Sequence, residues 1–207
     1  MIALTSSYSN TETRRIIPTY CETIDKDFEI YVGVVMRPAK EVILDFGNVT
    51  TKKMIAYDDT IFVDTDVVMN LLTSYLKSQN VQFEQARIDN FVELEGKFII
   101  NCSGLGAKEL NNDPKLESVQ GHLITLNDQN PNDLQYMIFI DEKPGITKSG
   151  HKARHSFYIM PKHLKDSFPR DVGVIGGSYI VGSTMDTPNE EEFDIILSQA
   201  RRFYGID

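Results

Sequence analysis

KFIINCSGLGAKEL, residues 97–110, is the stretch whose reading decides the fold. Phe98-Ile99-Ile100 is a short apolar run, closed by the small residues Cys102-Ser103-Gly104 and followed by one turn of helix. A continuous apolar run bounded in this way is the pattern of a strand buried on both faces of a parallel sheet. The turn then places free backbone N–H groups at the carboxyl end of that strand. Open α/β sheets bind ligands there, and the start of a helix favours anionic groups. Taken alone, the pattern fits an ordinary strand-to-helix turn better than a nucleotide-binding edge.

Upstream, the spacing predicts a helix from Asp66 to about Gln79. Asp64 or Thr65 serves as its cap, Val67/Leu71/Tyr75 and Val68/Leu72/Leu76 form adjacent rows, and Asn80 ends it in the left-handed conformation. Val81 to Val92 reads as a strand or strand pair. Farther back, Ile30–Met36, Val42–Phe46 and Ile61–Val63 read as antiparallel strands separated by turn residues, and residues 1–29 as an irregular, poorly ordered segment. Downstream the texture returns to β, with strands at His122–Leu126 and Tyr136–Ile140, a polar loop at 127–133 and an exposed loop from Asp141 to His155. Phe157–Met160, Val172–Ile175 and Tyr179–Val181 make a meander. A last helix is opened by Thr187 as cap, Pro188 at the first helical position and Glu190 as the capping-box partner; Phe193, Ile196, Leu197, Ala200 and Phe203 are its buried stripe, and Gly205 its end.

The 207 residues are 41% hydrophobic and 25% charged, an ordinary globular balance, with room for one or two domains. A net charge of −9 excludes the basic face that nucleic-acid binding needs. The amino terminus lacks the basic-then-apolar pattern of a secretory signal, and no apolar run approaches a membrane span. The expectation is a soluble, cytoplasmic protein that engages no membrane. Cys21 and Cys102 make neither a disulfide framework nor a metal motif, and Cys102, set in an apolar strand, reads as a packed, inert thiol. Among His122, His151, His155 and His163, no ligand spacing is completed by a carboxylate or cysteine, so no metal site is expected. No catalytic acid, base or nucleophile is legible either.

The run IINCSGLGAKEL, followed by NDPKLESVQGHLITL, resembles the D-amino-acid oxidase family, whose members carry VVNCTGxxAxxL and then DPxLxPxRGQ. Phe157-Tyr158-Ile159-Met160-Pro161 is similar to the family's YIIP, and Val174-Ile175-Gly176-Gly177-Ser178 to its VxLGGT, in the same order and spacing. The resemblance covers most of the chain from about Ile30 onward. It implies an FAD-dependent flavoprotein that oxidatively deaminates a D-amino acid, passing a hydride to the flavin with O2 as acceptor. On the cofactor side it points to Ile88 through main-chain groups, and to Ser103 and Gly104 in place of the family's Thr-Gly. On the substrate side it points to Tyr158, apt as a carboxylate donor. The family's second pocket tyrosine falls on Arg154, able to bind a second carboxylate or to stand as a surface arginine. Gln120-Gly121-His122 keeps only the glycine of the family's Arg-Gly-Gln.

The family's opening GxGxxG turn and its closing arginine and glycine-rich segments have no counterpart here. The expected fold is therefore α+β with an α/β portion. Residues 30–63 and 121–185 would form a mixed, largely antiparallel substrate-binding β domain, and 64–120 with 186–207 a partial, Rossmann-like FAD-binding region. Two further readings follow: a truncated, non-catalytic remnant or binding module that has lost FAD, or one piece of a split oxidase. The partners expected are a small-molecule amino acid and either a second copy of the chain or a complementing polypeptide.

Overall fold

The structure, a computed structural model, describes residues 14–127, 133–162 and 171–206. Its centre is one mixed sheet in which eight strands appear: β1 (Arg14–Cys21), β2 (Lys40–Asp45), β3 (Thr51–Val63), β4 (Val119–Gln120), β5 (Leu123–Asn127), β6 (Met137–Ile146), β7 (Lys152–Pro161) and β8 (Asp171–Val181). Their order is β2-β3-β1-β6-β7-β8-β4, with β5 also on β8. Every pairing is antiparallel except β1 with β6. The helices are α1 (Lys26–Glu29), α2 (Thr65–Ser78), α3 (Ala107–Leu110) and α4 (Glu190–Tyr204). This is an α+β fold.

One face of the sheet is covered by α4. Met54, Ile138, Phe157, Ile159 and Ile175 from four strands meet Ile196, Ala200 and Phe203, all buried. Each such aliphatic or aromatic side chain contributes about 1.5–3 kcal/mol by leaving water. The helix is pinned at both ends. Asn189, and not Thr187, is the N-cap, accepting from the Glu191 N–H at 3.1 Å, so Pro188 lies outside the helix. At the other end Gly205 has φ +66°, and a Cβ there would fall 2.0 Å from Thr50 Oγ1, so the β2–β3 turn requires glycine. The Asn48 side chain of that turn donates to the Tyr204 carbonyl at 2.8 Å.

On the opposite face Ile17, Phe62 and Met137 pack with Phe139 and Met160. Beside them Cys21, Met36 and Tyr57 are covered by Phe28 of α1.

Several elements differ from the pattern in the sequence. Arg14–Cys21, within the segment expected to be irregular, is a strand inserted between β3 and β6; two long neighbours offer it both ladders, which its polar flank does not advertise. Ile30–Met36 forms turns and a lone Val32–Met36 bridge instead of a strand. Residues 141–155 are not one loop: β6 and β7 run on through it as a hairpin turning at Thr147–Gly150. The helix at 65–78 and its left-handed Asn80 (φ +61°) are as the spacing implies.

The largest departure is at residues 97–110. Phe98, Ile99 and Ile100 form no strand, and they are exposed; Phe98 and Ile100 each keep 86% of their surface in water. Cys102, read as packed, is exposed as well. Val81–Val92 joins no strand ladder among the described residues and holds a 3-10 turn at Phe91–Glu93. A buried strand needs ladder partners on its edges, and every described strand of this chain belongs to the sheet above. Consequently the segment 64–120 builds no sheet of its own among the described residues and contributes only β4 at its end. The single helical turn after Gly104–Gly106 does form.

Candidate functional site

Strand β7 sorts its side chains to the two faces of the sheet. Phe157 and Ile159 are buried beneath α4, so Tyr158 and Met160 stand on the other side. In register, Phe139 of β6, Tyr158 of β7, Gly176 of β8 and Leu123 of β5 make one row across that open face. The Tyr158 ring lies against Phe139 with centroids 6.1 Å apart. On its other side it lies over Gly176 and Gly177, whose connecting peptide is cis. A Cβ at Gly176 would come within 2.1 Å of Tyr158 Cζ, and one at Gly177 within 2.7 Å of Cε1. The two glycines of the Val174–Ser178 run are therefore the seat of the tyrosine ring. A tyrosine phenol is already protonated, and so a donor, at neutral pH, and burial of the ring raises its pKa further. Among the described residues no hydrogen bond reaches that hydroxyl.

Arg154 shares the face of Tyr158, because Ala153 and His155 point the other way. Its guanidinium stacks over the ring of its cross-strand neighbour Tyr179, 4.2 Å from the centroid. Four residues of strand separate Arg154 from Tyr158, about 13 Å along the backbone at about 3.3 Å per residue.

Behind Tyr158, on the α4 side, lies a polar cluster that the sequence did not announce. Glu192 is 2% exposed, and its Oε2 lies 2.8 Å from His155 Nε2. His122, also buried, places Nδ1 2.8 Å from Ser178 Oγ, which accepts from the His122 backbone N–H at 3.2 Å. The His122 ring meets Phe193 edge-on at 5.5 Å, and its Nε2 has no hydrogen-bond partner among the described residues. Ser178 is the cross-strand neighbour of His155, so the two pairs bracket β8 where it meets α4. A legible signal existed: Glu192 falls in phase with Ile196, Ala200 and Phe203, and a carboxylate on a buried stripe demands a partner. His151 is instead a turn residue bonded to Ser149, and His163 lies outside the described residues. Among the described residues no three His, Cys, Asp or Glu side chains gather as metal ligands.

The residues singled out on the cofactor side sit elsewhere. Ser103 is exposed, and its hydroxyl and backbone N–H both donate to Asn101 Oδ1, at 2.7 and 3.1 Å. Gly104 is exposed at φ +58°, with nothing within 4 Å of the position a Cβ would take. Ile88 is half-buried in the stretch before the 3-10 turn. No residue from Thr65 to Gly121 is buried. Ser103 and Gly104 are exposed and the Ser103 N–H is already engaged by Asn101, so these three residues do not by themselves fit a flavin dinucleotide.

The chain is 33% identical over 73 residues to the D-amino-acid oxidase of Dictyostelium discoideum, a match covering 34% of this chain and 21% of that protein. The matched stretch thus spans about a fifth of the curated relative's length. No protein-family model matches the chain. No helix among the described residues is long and apolar enough to cross a membrane.

Proposed function

We propose that this chain supplies the substrate-binding sheet of a D-amino-acid-oxidase-like, FAD-dependent oxidoreductase, and that Tyr158 is its carboxylate donor. The observation that carries this reading is the setting of Tyr158: a protonated phenol on the open face, seated on two glycines, with no partner for its hydroxyl among the described residues. The partial match to a D-amino-acid oxidase supports the reaction class. The redox chemistry in such an enzyme belongs to the flavin; the share of this chain is to bind and orient. Tyr158 donates to the carboxylate of the amino acid while Phe139, Met160 and Leu123 provide the apolar surface beside it. Arg154, about 13 Å along the strand, suits a second anionic group and so a longer acidic side chain.

The test is Tyr158→Phe, which keeps the ring and removes only the hydroxyl. With D-alanine and D-glutamate as probes, NMR titration of the chain should perturb β7 and β8 around Tyr158 in the wild type. Affinity should fall by about 1.5–3 kcal/mol in the variant, the range for a hydrogen bond to a charged group. Equal affinities with both proteins folded would overturn the assignment. A large loss of stability without ligand would make Tyr158 a packing residue only.

A further inference from the structure

Strand β8 shifts register on both of its edges at one place. On one side Gln120 pairs with Ile180 and Leu123 with Gly176, so two residues of the β4–β5 connection face three of β8. On the other, His155 pairs with Ser178 and Tyr158 with Gly176, so two residues of β7 face one of β8. Gly177 therefore has no register partner on either side among the described residues. A ladder interrupted on both edges leaves the strand free to shift unless side chains hold it. The glycines under the Tyr158 ring stand at this break.

His122 holds it. Its backbone N–H donates to Ser178 Oγ at 3.2 Å, and its Nδ1 lies 2.8 Å from the same oxygen. A serine hydroxyl has one hydrogen and two acceptor sites, so it satisfies both contacts at once. Gly121 lets the two segments come this close, since a Cβ there would sit 3.3 Å from the Ser178 carbonyl oxygen. His122 is 5% exposed, yet its Nε2 has no hydrogen-bond partner among the described residues. Burying an imidazole with one nitrogen unpaired costs stability that an apolar side chain beside Phe193 would keep. Packing alone does not call for a histidine here; the bond to Ser178 does.

We infer that His122 is a positioning residue for Tyr158: through Ser178 it fixes the Gly176–Gly177 seat, and the seat fixes where the phenol presents its hydroxyl. What that hydroxyl then binds rests on the proposed function. Ser178 shares the α4 side of the sheet with its cross-strand neighbour His155, whereas Tyr158 stands on the open face. The influence of His122 therefore passes through the backbone of β8, from the side opposite the bound amino acid.

The full chain tests this without any ligand. A ring lying on two glycines shifts their α-protons upfield, so the Gly176 and Gly177 α-proton signals should be displaced in the wild type and should return in Tyr158→Leu. His122→Leu removes the polar bond at similar volume, and Ser178→Ala removes one oxygen. Each should carry the glycine signals toward their Tyr158→Leu positions, and the double variant no farther than Ser178→Ala alone. His122→Asn, which keeps a hydrogen-bonding atom near the place of Nδ1, should restore them. D-alanine affinity should fall about tenfold or more in Ser178→Ala, with no further fall when Ser178→Ala is added to Tyr158→Phe. Glycine signals that stay in place in folded Ser178→Ala would overturn the inference, whether or not His122→Leu folds. So would signals that move while D-alanine binds with wild-type affinity. A wild type that binds no D-alanine would overturn the proposed function alone, because the glycine signals still decide whether His122 holds the seat.

Discussion

Gly176→Ala probes the seat of Tyr158 directly. The backbone at 176 lies outside the left-handed region, so alanine is conformationally allowed and the cost is one of space. The new Cβ would fall 2.1 Å from Cζ and 2.3 Å from Oη of Tyr158. Non-bonded carbons settle at about 3.5–4.0 Å, so the tip of the ring must retreat by about 1.5 Å. Phe139 lies on the side opposite the glycines, 6.1 Å between centroids, so the retreat compresses that contact. Forcing a methyl into such a packed position costs about 1–3 kcal/mol. In a chain of this size each kcal/mol lowers the Tm by about 2–4 °C, so a fall of roughly 2–12 °C is expected. The assay is urea unfolding of wild type, Gly176→Ala, Tyr158→Ala and the double variant. Removing the ring removes the obstruction, so in the Tyr158→Ala background the alanine should change stability by less than about 0.5 kcal/mol, leaving a coupling of about 1–3 kcal/mol. An equal cost in both backgrounds would refute the reasoning, because the strain would then belong to the backbone and not to the tyrosine.

Glu192→Ala should cost about 1–3 kcal/mol in urea unfolding, because it leaves His155 Nε2 beneath α4 without its hydrogen-bond partner; a loss under about 0.5 kcal/mol would show that the pair does not hold the helix. The Tyr57 phenol is pushed up to about 12, first by burial and further by donating to Glu29, offset in part by the Asp25 N–H that it accepts. Its pKa is raised on folding, so its contribution is fully present below about pH 10, the ordinary tyrosine value, and is lost as pH rises through about 12. Stability should therefore fall more steeply between pH 10 and 12 in the wild type than in Tyr57→Phe, and parallel slopes would reject the assignment.

Local chemistry was legible where a residue's conformation depends only on near neighbours. Helix α2, its Asp64 cap and the left-handed Asn80 follow from side chains within one turn of each other. So does the left-handed Gly205 that ends α4. The opposite orientations of Phe157 and Tyr158 follow from period-two alternation along β7. The cap of α4 was placed two residues early, because Thr187 and Asn189 are both competent caps and only the path of the chain chooses between them.

Tertiary structure alone decided the rest. Whether Phe98–Ile100 becomes a strand depends on ladder partners, and a sequence pattern reports the propensity of a segment but not the presence of its neighbours. The same holds in reverse for Arg14–Cys21, whose polar start gave no sign that β3 and β6 would flank it. Glu192 with His155, and Ser178 with His122, are joined across 37 and 56 residues, and no local rule spans that distance. The glycines under Tyr158 were visible as a motif, but their purpose was not: a missing side chain acquires meaning only from the ring that fills its space.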